Sequence, residues 1–163
     1  MGRPSKIDYY LGIAMEVSRR GTCLRRVYGS VIVNNDAIVS TGYCGSARGE
    51  PNCCDVGVCK RKELNIPSGE RYELCESVHS EVNAIIHAGR ERCIGAELYI
   101  AGVDVESGSI FNDTIPCAMC MRVIKTSGID RVNLLRQSGY AVIDVDTGNL
   151  FYVSGLEKQE KIR

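Results

Sequence analysis

Two short runs set the terms for this chain: His79-Ser80-Glu81, and Pro116-Cys117-Ala118-Met119-Cys120, which begins 35 positions after Glu81. One imidazole and two thiols are three ligands for a zinc ion, and a three-ligand protein site keeps its fourth position open for water or substrate. Any fold that uses them must carry two remote segments to a common point. Cys117 and Cys120 stand three apart, so a single helical turn aims both sulfurs the same way. At a helix N-terminus the dipole and the unsatisfied N–H groups favour thiolates there. His79, opening a second helix, supplies the nitrogen. Two thiolates and a neutral imidazole bring Zn²⁺ close to zero net charge. The residues between the two runs must finish one helix, cross a sheet as a strand from Glu97, and return to the same edge.

Glu81 lies two residues from the histidine, near the metal but not needed as a ligand. It therefore reads as a proton shuttle. Zinc lowers the pKa of water toward neutrality, and Glu81 is placed to take that water's proton and deliver it onward. A structural zinc would fill the fourth position with Cys or His, and a dead assembly module would have no use for the carboxylate. A lone C-x-x-C is shared by redox pairs and zinc knuckles. H-x-E followed by P-C-x-x-C, in this order, is the pattern of zinc-dependent nucleobase deaminases.

Composition narrows the partners. Twenty Lys and Arg balance twenty Asp and Glu, so the net-basic footprint of a nucleic-acid binder is missing, and nucleic acid is not an expected partner. No run approaches the roughly 20 apolar residues of a membrane span, and the N-terminus, Met-Gly-Arg-Pro-Ser-Lys, has no apolar run of signal-peptide type. Nine cysteines in such a chain point to metal binding or catalysis in a reducing compartment, so a cytoplasmic location is expected. At this length, residues 1–163 are expected to form one domain.

Apolar spacing at Ile7, Tyr10, Leu11, Ala14 and Met15 predicts a first helix over 7–20. Gly29–Val33 and Ala37–Tyr43 read as strands joined by an Asn34-Asn35-Asp36 turn. Residues 45–76 form a Cys-, Gly- and Pro-rich insertion with little regular structure. A helix follows over Val78–Gly89, a strand over Glu97–Val103, and a helix with Pro116 in its first turn that runs to Ser127-Gly128. Arg131–Leu135 and Tyr140–Val145 are further strands. Residues 149–153 read as an addition to the last one, and the lysine-rich tail from Glu157 is expected to fray. This order predicts an α/β fold with helices covering one mixed sheet.

The insertion is too polar to offset an ordering entropy of about 1–2 kcal/mol per residue by burial alone. Cys23, Cys53, Cys59 and Cys75 are therefore candidate ligands of a second, structural zinc, with Cys54 the alternative to Cys53. Arg25 and Arg26 are candidates for gripping a phosphate; Arg90, Arg92 and Tyr140 are similar candidates by loop position. His87 reads as a satisfied helix-face histidine, Cys44 and Cys93 as small apolar packers, and Tyr9 and Tyr10 as core or interface.

From about Ser18 to Val132 the chain resembles the deoxycytidylate (dCMP) deaminases of the cytidine deaminase-like superfamily. The resemblance is carried by Cys23-Leu24-Arg25, Gly29-Ser-Val-Ile-Val33, Thr41-Gly42-Tyr43-x-Gly45, the Cys-rich insertion, His79-x-Glu81-x-Asn83-Ala84-Ile85, Pro116-Cys117-x-x-Cys120 and Ser127-Gly128-Ile129. It implies a three-layer α/β/α sandwich around a mixed five-stranded sheet and one catalytic zinc. It also implies hydrolysis of dCMP to dUMP and ammonia, and a homo-hexamer. Some members of the family carry a second zinc tied to this region, with histidines among its ligands, and a nucleoside triphosphate effector with Mg²⁺ belongs to the same set of expectations. Two positions depart from the family pattern. Ser80 stands where alanine is usual, at a position that contributes its backbone to the base. Cys44 replaces an asparagine associated with nucleotide contacts, which keeps a free nucleoside or base analogue as the alternative substrate. The tRNA deaminases share the zinc motif, but the charge balance counts against them.

Overall fold

The computed structural model describes residues 2–154, and the tail from Glu157 lies outside the described residues. Helix α1 (Lys6–Ser18) starts at Ser5, whose hydroxyl accepts the Asp8 amide at 3.1 Å. Strands β1 (Arg26–Asn34) and β2 (Ala37–Tyr43) form an antiparallel hairpin. Its turn residues Asn35 and Asp36 take φ of 49° and 63°, the left-handed region that Asn and Asp tolerate.

The insertion is mostly irregular, held by a two-residue strand β3 (Gly45–Ser46), single-turn helices α2 (Cys53–Val56) and α3 (Lys60–Glu63), and a 3₁₀ turn at Tyr72–Leu74. Strand β4 (Ser77–Val78) closes it by pairing with β3, Gly45 opposite Val78. Helix α4 (Ser80–Ala88) follows at once, then α5 (Arg90–Cys93) and β5 (Glu97–Asp104). Gly89 ends α4 with φ 73° and ψ 150°, so the chain leaves through an extended bend instead of a left-handed cap. Helix α6 (Ala118–Ser127) has Cys117 as its N-cap and Gly128 as a left-handed C-cap. Pro116 consequently lies just outside the helix, one residue before the cap.

Strands β6 (Arg131–Arg136), β7 (Gly139–Asp144) and β8 (Leu150–Ser154) complete a six-stranded sheet in the order β2-β1-β5-β6-β7-β8. The β5–β6 pair is parallel, joined through α6, and the other neighbours are antiparallel. The sheet therefore has one strand more than the five expected. Residues 149–153 do not lengthen β7. Asp144 Oδ1 accepts from the Thr147 amide and hydroxyl, both at 2.8 Å, and Gly148 takes φ 74°. That turn sends the chain back as a separate edge strand.

Each face of the sheet buries its own cluster. On one, Tyr10, Leu11 and Ala14 of α1 pack on Val31, Val33, Tyr99 and Ala101. On the other, Ala84, Ile85 and Ala88 of α4 and Ile124 of α6 pack on Ile32, Leu98, Ile100, Val132 and Leu134. The result is three layers, α/β/α.

Helix α4 rides unusually close to β2, and Gly42 is the reason. A Cβ there would meet the Ala84 amide nitrogen at 2.3 Å and the Ser80 carbonyl oxygen at 2.5 Å. Three side chains hold the contact: Ser40 Oγ donates to Ala84 O at 2.8 Å, Asn83 Nδ2 to Tyr43 O at 2.8 Å, and His87 Nδ1–H to Thr41 O at 2.8 Å. Gly42→Ala is expected to push α4 outward. It should lower stability by about 1–3 kcal/mol in denaturant titration and reduce zinc retention on gel filtration.

Candidate metal and deaminase site

The N-termini of α4 and α6 point at one spot. His79 is the N-cap of α4, held in place by the β3–β4 ribbon that runs directly into it. Its Nδ1 lies 3.6 Å from Cys117 Sγ and 3.2 Å from Cys120 Sγ. A tetrahedral zinc with ordinary Zn–N and Zn–S bonds sets nitrogen and sulfur about 3.5 Å apart. The observed spacing brackets that value, so these residues fit the ion. Among the described residues, this is the sole group of three or more His, Cys, Asp or Glu whose ligand atoms all lie within 4.8 Å of one another.

The two thiols titrate as a pair. The hydrogen bond from Cys120, with help from His79, lowers the Cys117 thiol to about 4, while the same pairing together with burial holds the proton on Cys120. Cys117 Sγ also accepts the Cys120 amide at 3.4 Å as the helix cap. The hydrogen bond to Cys117 raises His79 in turn. A bound cation would take over the role of the shared protons.

Glu81 sits one residue inside α4 and is only 7% exposed. Burial raises its carboxyl above the ordinary range. Its Oε2 accepts from Ser80 Oγ at 3.1 Å, and Ser80 Oγ is 2.8 Å from Ser30 Oγ on β1. Sequence reasoning assigned Ser80 a backbone role only and missed Ser30. The alternation of β1, which puts Tyr28, Ser30 and Ile32 on one face, was the available signal.

The cleft above the site has a volume of about 130 Å³ and is walled by His79, Glu81, Cys117, Tyr28, Thr114 and Tyr72, with Arg25, Arg26 and Arg61 around them. Arg26 lies 4.3 Å over the Phe111 ring, which stacks on Tyr28 at 6.0 Å. Arg61 was missed because it belongs to the run Lys60-Arg61-Lys62, which reads as a solvated face. It is in fact 7% exposed. Its Nη2 donates to Pro67 O at 2.7 Å and Glu70 O at 2.6 Å, and its guanidinium lies 4.5 Å over Tyr72. Tyr72 in turn meets His79 edge-on at 4.9 Å.

The other expected residues fall elsewhere. Arg90 donates to Thr126 O at 3.4 Å, and Arg92 donates to Ala88 O and His87 O at 2.6 and 2.8 Å. Both serve the C-terminal ends of the helices, roughly 13 Å along α4 from His79 at about 1.5 Å per residue. Tyr140 packs with α1 on the opposite face of the sheet. Their places in the fold take all three away from the cleft. Cys93 is fully buried in the core. Cys44 is buried too, yet it lines the cleft; its sulfur accepts the Tyr28 amide at 3.2 Å, and burial pushes the thiol up to about 11. Tyr10 is buried and Tyr9 is exposed.

Cys23, Cys53, Cys59 and Cys75 gather in one neighbourhood: the Cys53 thiol is raised by burial first, then by the other three. No three of their sulfurs come within 4.8 Å of one another. Cys54 is exposed and Cys53 buried, so Cys53 is the one facing the group.

Comparison with known proteins agrees with this geometry. Residues 4–136 match the family described as the cytidine and deoxycytidylate deaminase zinc-binding region. The chain is 33% identical over 143 residues to the deoxycytidylate deaminase of Mycobacterium phage D29, covering 85% of this chain and 100% of that protein. It is 31% identical over 160 residues to the deoxycytidylate deaminase of Schizosaccharomyces pombe, covering 98% of this chain but 45% of the yeast protein. The dCMP deaminase of cyanophage S-TIM5, solved with dCMP and dUMP, shares the fold at a TM-score of 0.55 and 21% identity, over 82% of this chain and 83% of that one. The chain thus belongs to the cytidine and deoxycytidylate deaminase zinc-binding family.

With His79, Cys117 and Cys120 as the ligands, Glu81→Gln is expected to keep its zinc by elemental analysis, whereas Cys117→Ser loses it. Loss of zinc with the carboxylate would make Glu81 a ligand.

Proposed function

We propose that this chain deaminates a free cytosine nucleotide by hydrolysis, converting dCMP to dUMP and ammonia. The carrying observation is the charge of the cleft. Arg25, Arg26 and Arg61 line it, and Glu81, buried at its base, is the sole carboxylate among its described walls. That arrangement suits an anionic substrate whose base reaches the metal while its phosphate meets guanidinium groups. The phage D29 relative, matched over its whole length and named a deoxycytidylate deaminase, supports the same reading.

Zinc held by His79, Cys117 and Cys120 would supply a water of lowered pKa as the nucleophile. Glu81 takes one water proton and delivers it to N3 of the base as oxygen adds to C4. The second water proton then passes through Glu81 to the exocyclic amine, the C4–N4 bond breaks, and ammonia leaves. General acid–base work of this kind contributes about 10²–10⁴-fold. Glu81 is itself only 7% exposed, which limits its proton exchange with bulk water.

A charge-assisted hydrogen bond is worth about 1.5–3 kcal/mol, so kcat/KM for dCMP should exceed that for deoxycytidine by roughly ten- to a hundred-fold per such contact. Equal values would reject the nucleotide reading and favour the nucleoside.

Cys23, Cys53, Cys59 and Cys75 share a neighbourhood without reaching metal-ligand spacing, so a second, structural zinc tying the insertion to the end of α1 requires the ion to draw these thiols together. Such sites contribute about 10 kcal/mol or more in small zinc domains. Elemental analysis should find two zincs per chain, falling toward one in Cys75→Ser; one zinc in the wild type would reject the site. Nine free thiols suit a reducing compartment, and a cytoplasmic site of action and a homo-hexamer complete the proposal. Among the described residues no helix is long and apolar enough to cross a membrane.

A further inference from the structure

We infer that Ser30 and Ser80 form a hydroxyl relay that fixes the position of Glu81 and reserves one of its oxygens for proton transfer. The inference rests on the reading of Glu81 as the proton shuttle. Both serines are essentially inaccessible, at 0% exposure, with Ser30 in the middle of β1 and Ser80 opening α4. Their hydroxyls are 2.8 Å apart, and Ser80 Oγ donates to Glu81 Oε2 at 3.1 Å.

A hydroxyl has one proton to give and two lone pairs to receive with. Ser80 commits its proton to the carboxylate, so the contact with Ser30 is made by the Ser30 proton. The chain of donors then runs one way, from strand to helix to carboxylate. Oε2 is engaged by this chain, and Oε1 is the oxygen that carries the shuttled proton.

Rigidity is what such a relay supplies. A glutamate has three rotatable bonds, and a misplacement of about 1 Å in a reacting group costs roughly 10²-fold in rate. Ser30 is anchored in a strand paired on both sides, Gly42 opposite it on β2 and Ile100 on β5, so it refers the carboxylate to the most rigid part of the sheet. Position 80 departs from the family pattern, and Ser30 provides the partner that makes a buried serine there useful. Ser30 and Ser80 are positioning residues, since neither needs to touch the reacting atoms.

The test is a double-mutant cycle on the zinc-loaded protein with Ser30→Ala, Ser80→Ala, the double variant and Glu81→Gln. Kinetics on dCMP, zinc content and thermal midpoints are measured for each. Each single serine variant should lower kcat by about tenfold, the scale of one hydrogen bond to a charged group, with KM and zinc content unchanged. The double variant should lose no more than Ser80→Ala alone, because Ser30 acts only through Ser80. The thermal midpoints should show the same coupling, with the double variant falling by less than the sum of the singles.

A kcat within about twofold of wild type in either single variant overturns the relay, as does a double variant that loses the product of the two effects. A rise in KM that accounts for the whole loss also overturns it, because that is the mark of a distorted binding site. If Ser80→Ala does not fold, Ser30→Ala decides alone, since Ser30 lies on β1, outside the helix that carries His79 and Glu81. A fully active Glu81→Gln rejects the role of Glu81 itself; an inactive Glu81→Gln beside unaffected serine variants rejects the relay only.

Discussion

Everything in this molecule is arranged around bringing one imidazole nitrogen and two sulfurs from separate helices within a few ångströms of each other. The candidate ligands His79 and Cys117 are the N-caps of α4 and α6, with Cys120 in the first turn of α6, where helix dipoles and free amides stabilise negative charge. For both N-termini to face one point, the helices must lie side by side on the same face of the sheet. The crossover through α6 to a parallel β6 secures that placement for one of them. For the other, Gly42 lets α4 settle onto β2, and the β3–β4 ribbon delivers His79.

The electrostatics follow from that convergence. Three ligands grouped this tightly would burden the protein with closely spaced polar atoms if no cation lay between them, and the sharing of protons between Cys117 and Cys120 expresses the same pressure. Burial of Glu81 raises its carboxyl above the ordinary range, and guanidinium groups line the same cleft. The cleft thereby gathers three guanidinium groups, Arg25, Arg26 and Arg61, around a single buried carboxylate.

Much of the fold was legible because periodicity and turn chemistry are local. The spacing of Tyr10, Leu11 and Ala14 marks α1, the Asn35-Asp36 turn marks the first hairpin, and the spacing of His79, Cys117 and Cys120 marks the group that the fold brings together. What escaped was decided by packing at a distance. Arg61 looks like one cation in a charged run until tertiary contacts with Pro67, Glu70 and Tyr72 bury it. Arg90 and Arg92 look like free cations near the site until the direction of α4 puts them at its far end. Tyr140 stands beside a turn at the start of β7, but its side chain packs on the face of the sheet that α1 covers. The sixth strand was missed because the polar run from Asp144 to Asn149 signals an ending, and only the hydrogen bonds of Thr147 show that it reverses the chain.

The cleft draws its two sides from different sources. Its base belongs to the sheet and its two helices, whereas Cys59, Arg61, Ser68, Tyr72 and Cys75, on one flank, all come from the insertion. That segment is joined to the sheet through the two-residue β3–β4 ribbon and reaches the metal group through the Tyr72–His79 contact. The cleft is therefore a composite, in which a segment of little regular structure completes a wall begun by the hairpin residues Arg26 and Tyr28 and by the start of α4.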